Sequence, residues 1–228
     1  MKILHLAVHN GWPEKEEGGT GPNAGDTALN PLIQRLFSKS FNNVFFENRQ
    51  VWQLVSDKDI LDWNQNFDYI LIGGGGLFLN DQPGLDQELS GWTWQISLEN
   101  LKKIKIPFIV FSVGFNKFYG GKNFSNIFWE SIFYIYKNSI FFSLRNNGSI
   151  LRINEGFKKN NLIIDPNKKI YFQPCPTLIY QNIKNEFKGT LLEKSYKSPF
   201  KISINLAFDR IEQRVKYSNN VLQEQLFL

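Results

Sequence analysis

The sequence predicts an α/β protein built on a parallel sheet with helices on both of its faces. Strand-like and helix-like segments alternate along the chain, which is the pattern of parallel strands joined by helical crossovers. The run Tyr69–Ile72 carries no charge and leads directly into the glycines Gly73–Gly76. A strand without a polar side is typical of a sheet covered on both faces. We therefore predict a Rossmann-like doubly wound parallel sheet, to which the end of the chain adds the start of a second, incomplete Rossmann-like domain.

Short apolar runs give the predicted strands, which are Ile3–Val8, Asn43–Glu47, Tyr69–Ile72, Pro107–Val113, Ser139–Leu144 and Lys169–Phe172. The later predicted helices are Ser56–Trp63, Trp92–Lys103, Ser125–Lys137 and Gly148–Asn154. Ser56 is the expected cap of the first of these. Between the fourth strand and its helix, Asn116–Asn123 is expected to be mobile. For the tryptophans Trp92 and Trp94, the spacing predicts one residue in the core and one exposed.

The first helix follows a long loop, His9–Asn23, and shows helical spacing of its apolar residues, which are Ala28, Leu29, Leu32, Ile33, Leu36 and Phe37. Pro31 allows two starts: Asn30 caps the helix with Pro31 at its first position, or the helix starts near Thr27 and is kinked. Either way Asn23, Gly25 and Asp26 lie at a helix amino terminus, where free N–H groups favour an anion. Asp26 either caps the helix or holds the loop or a substrate hydroxyl.

The glycine run is the second predicted anion site. Glycine allows positive φ and close approach to the backbone, and ligands of open α/β sheets bind at the carboxyl ends of the strands. We therefore expect Gly74, Gly75 and Gly76 to contact a substrate. The alternative is a tight turn under a packed helix.

The predicted organisation is an N-terminal Rossmann-like domain over residues 1–180, a polar linker over 181–200, and the beginning of a truncated second domain over 201–228. That last part contains one strand, Lys201–Phe208, and one helix, Glu212–Leu226. One strand and one helix do not bury their own apolar faces. We expect residues 201–228 to pack on the first domain, or to be the first part of a second domain that an adjoining or companion chain completes.

Composition restricts the partners. The formal net charge of +5 favours anionic substrates or contact with a membrane surface, whereas the scattered Lys and Arg residues argue against nucleic acid. The single cysteine, Cys175, forms no internal disulfide, which indicates a reducing compartment and a cytoplasmic location. No run reaches the ~20 apolar residues of a membrane span, and the amino terminus does not have the pattern of a signal peptide.

Several segments together resemble the polysaccharide pyruvyl transferase family. The most specific are Asn23-x-Gly25-Asp26-x-Ala28-Leu29 before the first helix and Asp68–Phe78, DYILIGGGGLF. Further similar segments follow in the same order, namely Phe111-Ser112-Val113-Gly114, Ser143-Leu144-Arg145 with Ser149, and Ile202–Asp209. Together they span most of the chain.

The resemblance implies a two-domain enzyme similar to glycosyltransferase-B proteins, with no cofactor. Its donor substrate would be phosphoenolpyruvate. Its acceptor would be a saccharide or lipid-linked oligosaccharide of a cell-surface or exported polysaccharide, which places the chain in exopolysaccharide biosynthesis. The chain departs from the family pattern where Asn146 and Cys175 replace aspartates. These departures put any metal or proton role of those positions in doubt, and we expect no metal. The second-domain Arg-x-His motif has no counterpart here, so we expect the chain by itself to be inactive as a transferase.

Pyruvyl transfer requires cationic side chains that bind the carboxylate and phosphate of the donor, and an acid that protonates the enol carbon of the donor. Arg145 and Arg210 each follow a predicted strand and are the expected anion-binding arginines; each could instead form a surface salt bridge. The catalytic acid stays unassigned. His5 lies inside the first strand, where a histidine is usually part of the core, so His9, nearer the strand's carboxyl end, is the candidate.

Three other readings remain open. Gly19-Thr20-Gly21-Pro22-Asn23-Ala24 fits a dinucleotide-binding fingerprint with Glu47 as its acid, but the fingerprint lies far from the strand and Pro22 removes an N–H group. A glycosyltransferase that uses a nucleotide sugar would share the architecture. A non-catalytic domain that binds a glycan or a partner subunit would also share it.

Overall fold

A computed structural model describes residues 1–8, 24–81, 84–117 and 121–179. Over this part the chain forms one sheet of six parallel strands in the order β2-β1-β3-β4-β5-β6. The strands are β1 Lys2–Ala7, β2 Phe45–Gln50, β3 Tyr69–Gly73, β4 Phe108–Val113, β5 Ser139–Leu144 and β6 Tyr171–Phe172. The predicted α/β, Rossmann-like parallel sheet is confirmed. The linker over 181–200 and the second domain over 201–228 lie outside the described residues and stay predictions.

The helices that connect these strands are α1 Ala24–Ser40, α2 Asp57–Asn66, α3 Leu98–Lys103, α4 Asn126–Asn138 and α5 Asn147–Lys159, and a short 3₁₀ helix, Pro176–Ile179, follows β6. The chain runs from β1 to β2 in one direction across the sheet and from β2 to β3 in the other. Because crossovers are right-handed, α1 covers one face and the later helices cover the opposite face. The reversal places a topological switch point between β1 and β3, where open sheets bind ligands.

Side-chain caps explain where most of the helices start. Ser56, Ser97, Ser125 and Asn146 each accept a hydrogen bond from a first-turn N–H group of the helix that follows. Ser56 and Asp59 form a reciprocal capping box. The predicted cap at Asn30 is wrong: α1 begins at Ala24 and Pro31 lies inside it. Tertiary packing of α1 against the sheet outweighs the hydrogen bond that Pro31 removes.

The core lies on both faces of the sheet. On the face of α1, Ile33 and Phe37 pack against strand residues that include Ile3 and Leu71. The larger cluster covers the opposite face and includes Trp92 and Trp94, which are 0% and 1% exposed. The prediction that one of these tryptophans is exposed is therefore wrong.

The helix predicted over Trp92–Lys103 is also wrong in its first half. Only α3, Leu98–Lys103, is helical. Before it the chain bends over residues 91–94, and Trp92, Thr93 and Trp94 are all buried. The Ile96 N–H donates to the Trp94 carbonyl at 2.9 Å. Gly91 has φ +74° and starts this segment, because a side chain there would be strained and would meet Ser125 Oγ at 2.7 Å.

Other boundaries differ by a few residues. β2 begins at Phe45 instead of Asn43, whose φ of 55° ends the preceding turn. α5 continues to Lys159, well past the predicted end at Asn154, because Ile153, Gly156 and Phe157 remain buried on one face. No helix in the described part of the chain is long and apolar enough to cross a membrane.

Candidate functional site

The glycine run begins at the carboxyl end of β3, at the centre of the sheet. Gly74 and Gly75 have φ of 78° and 85°, values that glycine adopts without strain. The Gly74 N–H donates to the carbonyl of Phe111 at 3.1 Å, and the Gly75 carbonyl accepts from Gly114 N at 2.8 Å. The glycine run therefore forms a turn that is hydrogen-bonded to β4 and to the residue that follows it. Within the described residues the N–H groups of Gly75 and Gly76 have no acceptor; Gly75 is buried and Gly76 is half-buried.

Arg145 lies beside this turn. It follows β5, is half-buried, and donates from a terminal guanidinium nitrogen to Asn116 Oδ1 at 2.9 Å. A β-carbon on Gly76 would overlap Asn116 Nδ2, and one on Gly114 would overlap the Arg145 guanidinium. The missing side chains at Gly76 and Gly114 thus provide the space in which Arg145 and Asn116 lie. We call these four residues the arginine site.

No carboxylate of the described residues balances the charge of Arg145. Among the described residues Arg145 forms no ion pair, and its side-chain partner there is the neutral amide of Asn116. A salt bridge, the alternative role for this residue, is therefore absent from the described part of the chain. An unpaired guanidinium beside two unpaired N–H groups is suited to binding a carboxylate or phosphate.

The amino terminus of α1 lies at the same edge of the sheet. A β-carbon on Gly74 would meet Ile33 Cδ1 at 2.9 Å and Leu29 Cβ at 3.3 Å, so α1 packs directly on the glycine run. Gly25 is exposed in the first turn of α1, beyond Leu29 in the direction of the carboxyl ends. Asp26 belongs to the same turn, and only its backbone is described. Asn23, His9 and Arg210 lie outside the described residues, and their roles stay predictions.

His5 is buried beneath the glycine run. Its Nε2 lies 3.3 Å from the carbonyl oxygen of Gly73, and Gln34 Nε2 lies 3.1 Å from its Nδ1. Since the amide nitrogen of Gln34 only donates, Nδ1 accepts and Nε2 carries the hydrogen. Burial lowers the pKa of His5 from 6.5 to about 4, although the hydrogen bond with Gly73 opposes the shift. His5 is thus a neutral core residue that supports the glycine turn.

The two positions that depart from the family pattern have structural roles. Asn146 caps α5 by accepting from Ser149 N at 2.7 Å, and Ser149 Oγ in turn accepts from Phe115 N at 3.0 Å. Cys175 Sγ lies 3.1 Å from Thr177 Oγ1. Pro174, next to Cys175, accepts from Ser112 Oγ at 3.3 Å. These contacts join β4, the start of α5 and the chain after β6 into one surface around the arginine site.

Sequence reasoning named Arg145 and the glycines but missed Asn116 and Gly114. Asn116 was placed in a segment expected to be mobile, whereas its N–H donates to Phe78 O at 2.9 Å and its side chain holds Arg145. The available signal was Gly114, a glycine directly after β4, in the position that Gly74 occupies after β3. Arg145 follows the neighbouring strand β5, and a contact between the ends of two strands is not visible in the linear sequence.

Comparison with known proteins yields one match. A family model described as polysaccharide pyruvyl transferase matches residues 23–225, most of the chain. The search of curated proteins found no match. The search of solved structures also found none.

Proposed function

Because the chain belongs to the polysaccharide pyruvyl transferase family, we propose that its carboxyl edge binds phosphoenolpyruvate, the donor of a pyruvyl group. The acceptors are hydroxyl groups of a saccharide or lipid-linked oligosaccharide that becomes part of a cell-surface or exported polysaccharide. The donor is itself a substrate, and no separate cofactor takes part. The reaction takes place in the cytoplasm, where the free thiol of Cys175 stays reduced.

The observation that carries this proposal is the guanidinium of Arg145, which forms no ion pair among the described residues. Phosphoenolpyruvate has a carboxylate and a phosphate, and the planar fork of an arginine forms two parallel hydrogen bonds with either group. The N–H groups of Gly75 and Gly76, which have no acceptor among the described residues, supply further donors beside Arg145. The amino terminus of α1 adds the positive end of its dipole at the same edge.

The proposed chemistry has two parts. A proton is added to the CH₂ carbon of the enol, which leaves a cation at C2. Two sugar hydroxyls then bond to C2, lose their protons, and phosphate departs, so that pyruvate is left as a cyclic ketal. In this scheme the arginine site holds the anionic groups of the donor and orients C2 towards the acceptor.

The acid for the first part is not His5. Its imidazole is completely buried, its pKa is about 4, and its one hydrogen is directed at Gly73 O. A general acid for this step needs a pKa near neutrality and direct access to the carbon. We therefore assign the arginine site to donor binding and leave the proton donor to residues beyond the described part, among which His9 is the candidate.

The test measures the melting temperature of the purified chain with phosphoenolpyruvate, with inorganic phosphate and with a nucleoside diphosphate. We expect phosphoenolpyruvate to raise the melting temperature of wild type clearly, and Arg145→Gln to remove this rise. A matched control is Lys137→Gln, which removes the same charge at the end of α4, at the opposite edge of the sheet. A rise with the nucleoside diphosphate alone would instead indicate a glycosyltransferase that uses a nucleotide sugar. No rise with any of these anions would favour a non-catalytic glycan- or partner-binding domain.

A further inference from the structure

A groove of about 800 Å³ lies between the start of α4 and the outer side of α5. Its floor is aromatic and its rim is polar. Phe115, Phe124 and Trp129 line the floor, together with the backbone of Gly156. The groove is separate from the arginine site and has no part in the donor binding described above.

The aromatic floor is held in place by its packing. Phe115 contacts Phe124 with ring centroids 4.7 Å apart, and it stacks on Trp129 at 6.1 Å with an interplanar angle of 26°. The indole lies directly over Gly156, where a β-carbon would overlap its six-membered ring. Phe124 is buried, whereas Phe115 and Trp129 are half-buried and keep part of their surface open to the groove. Such a fixed, partly open aromatic surface is suited to the apolar face of a sugar ring.

The rim supplies hydrogen-bonding groups and positive charge. Lys117 donates to Asn123 Oδ1 at 2.6 Å across the mouth of the groove. Arg152 pairs with Glu155 at 3.3 Å, and Lys159 adds a further cation beside them. The cations of the lining therefore outnumber its one carboxylate. A saccharide that carries acidic groups would match this rim better than a neutral one.

The groove adjoins the arginine site through a single peptide unit. Phe115 forms part of the groove floor, and the next residue, Asn116, holds Arg145. The Phe115 N–H is fixed by Ser149 Oγ at 3.0 Å, and the Asn116 N–H is fixed by Phe78 O at 2.9 Å. Two adjacent residues thus face two different sites on a rigid backbone. A ligand lying in the groove would end next to a donor bound at Arg145.

We propose that this groove binds the acceptor, an acidic oligosaccharide, with Trp129 and Phe115 as its stacking surface and the cationic rim as its anion contact. The proposal rests on the proposed function, because it makes the groove the acceptor site of the same reaction. It specifies where the acceptor binds, that the acceptor is acidic, and which aromatic residues stack on it.

Calorimetric titration of the whole chain with tetragalacturonate, and with cellotetraose as its neutral counterpart, tests this assignment. Tetragalacturonate is expected to bind more tightly than cellotetraose, and only its affinity should fall as salt is added. Trp129→Ala is expected to weaken both probes about tenfold. Tyr134→Ala is the matched control, since Tyr134 is a half-buried aromatic residue on the same helix that does not line the groove.

A second variant covers the case in which Trp129→Ala fails to fold. Lys159→Gln changes an exposed residue of the rim and should weaken tetragalacturonate while leaving cellotetraose unchanged. The inference is overturned if wild type binds neither probe, or if Trp129→Ala and Lys159→Gln both bind as wild type does. Arg145→Gln separates the two proposals. It should abolish phosphoenolpyruvate binding but not oligosaccharide binding. If wild type binds the oligosaccharide and does not bind phosphoenolpyruvate, the proposed function is rejected, and the groove is a saccharide-binding site without a role as acceptor site.

Discussion

The imidazole Nε2 of His5 donates to the carbonyl oxygen of Gly73 at 3.3 Å, which connects the middle of β1 with the first residue of the glycine run. Gln34 of α1 donates both to His5 Nδ1 and to Asn48 Oδ1 of β2, the latter at 2.6 Å. One hydrogen-bonded chain therefore links α1, β2, β1 and the turn that carries the candidate site. These contacts orient the start of the turn without exposing His5 to a substrate.

The lowered pKa of His5 makes stability depend on pH. The unfolded chain takes up a proton near pH 6.5, whereas folded His5 does so only near pH 4. Between these values the unfolded state binds more protons, so the free energy of unfolding falls as the pH falls, by on the order of 3 kcal/mol in total. Urea unfolding across this range should show the loss in wild type and not in His5→Gln. Parallel curves for the two proteins would contradict the assignment of a buried neutral histidine.

A side chain at Gly76 should damage the arginine site without unfolding the domain. The β-carbon of Gly76→Ala would overlap Asn116 Nδ2 and approach a terminal nitrogen of Arg145 to 3.4 Å. We expect phosphoenolpyruvate to bind about tenfold more weakly, the effect of roughly 1.4 kcal/mol. Gly148→Ala is the control, because a β-carbon there would meet nothing closer than Asn146 Oδ1 at 3.3 Å. Equal affinities of the two variants would show that the glycines serve the turn alone.

Trp94 is expected to matter for folding and not for sugar binding. Its ring packs against Trp63, Trp92 and Phe108, and its indole N–H has no partner in the described part of the chain. Trp94→Ala should therefore cost about 3–5 kcal/mol of stability. Trp94→Phe should cost less, because it keeps an aromatic ring and removes an unpaired donor. Denaturant unfolding measures both, and a near-neutral Trp94→Ala would argue against the buried position.

The chain of residues 1–228 is expected to transfer no pyruvyl group at a meaningful rate by itself. The second-domain Arg-x-His motif of the family has no counterpart in the sequence, and His5, the one histidine among the described residues, is neutral and buried. His9 would therefore have to supply the acid without that motif, and the loss of a positioned acid typically costs about 10²–10⁴-fold. The assay incubates the purified chain with phosphoenolpyruvate and oligosaccharides, and follows phosphate release together with ketal formation. Sustained turnover that depends on the acceptor would contradict the expectation. His9→Ala would then show whether His9 supplies the proton.

Much of the sheet could be predicted because its strands are short apolar runs that end in glycine or polar residues. Tyr69–Ile72 and the glycines after it are the clearest case, and the predicted cap Ser56 marked the start of α2 correctly. The segment from Trp92 to Ile96 was misassigned because a helix was extended backwards over residues that form bends. Its conformation depends on the packing of Trp92 against Phe78 and of Trp94 against Trp63 and Phe108, a tertiary effect that local propensity does not express.

Only part of the candidate site could be predicted from the sequence, for a similar reason. Arg145 follows a strand and Gly76 ends a glycine run, so each could be selected from its own surroundings. Their relation depends on Asn116, which lies far from both in sequence and is held by hydrogen bonds to Phe78 and Arg145. The aromatic groove likewise needs Gly156 of α5 to meet Trp129 of α4, and no pattern within either helix indicates that pairing.

Calorimetric titration of phosphoenolpyruvate into wild type and Arg145→Gln shows whether Arg145 and the glycine turn form the donor site. Wild type is expected to bind measurably, and the variant at least about tenfold more weakly, because a charge-assisted hydrogen bond contributes about 1.5–3 kcal/mol. The Lys137→Gln control should retain the wild-type affinity. Equal binding of phosphoenolpyruvate to wild type and Arg145→Gln would contradict this assignment of the donor site.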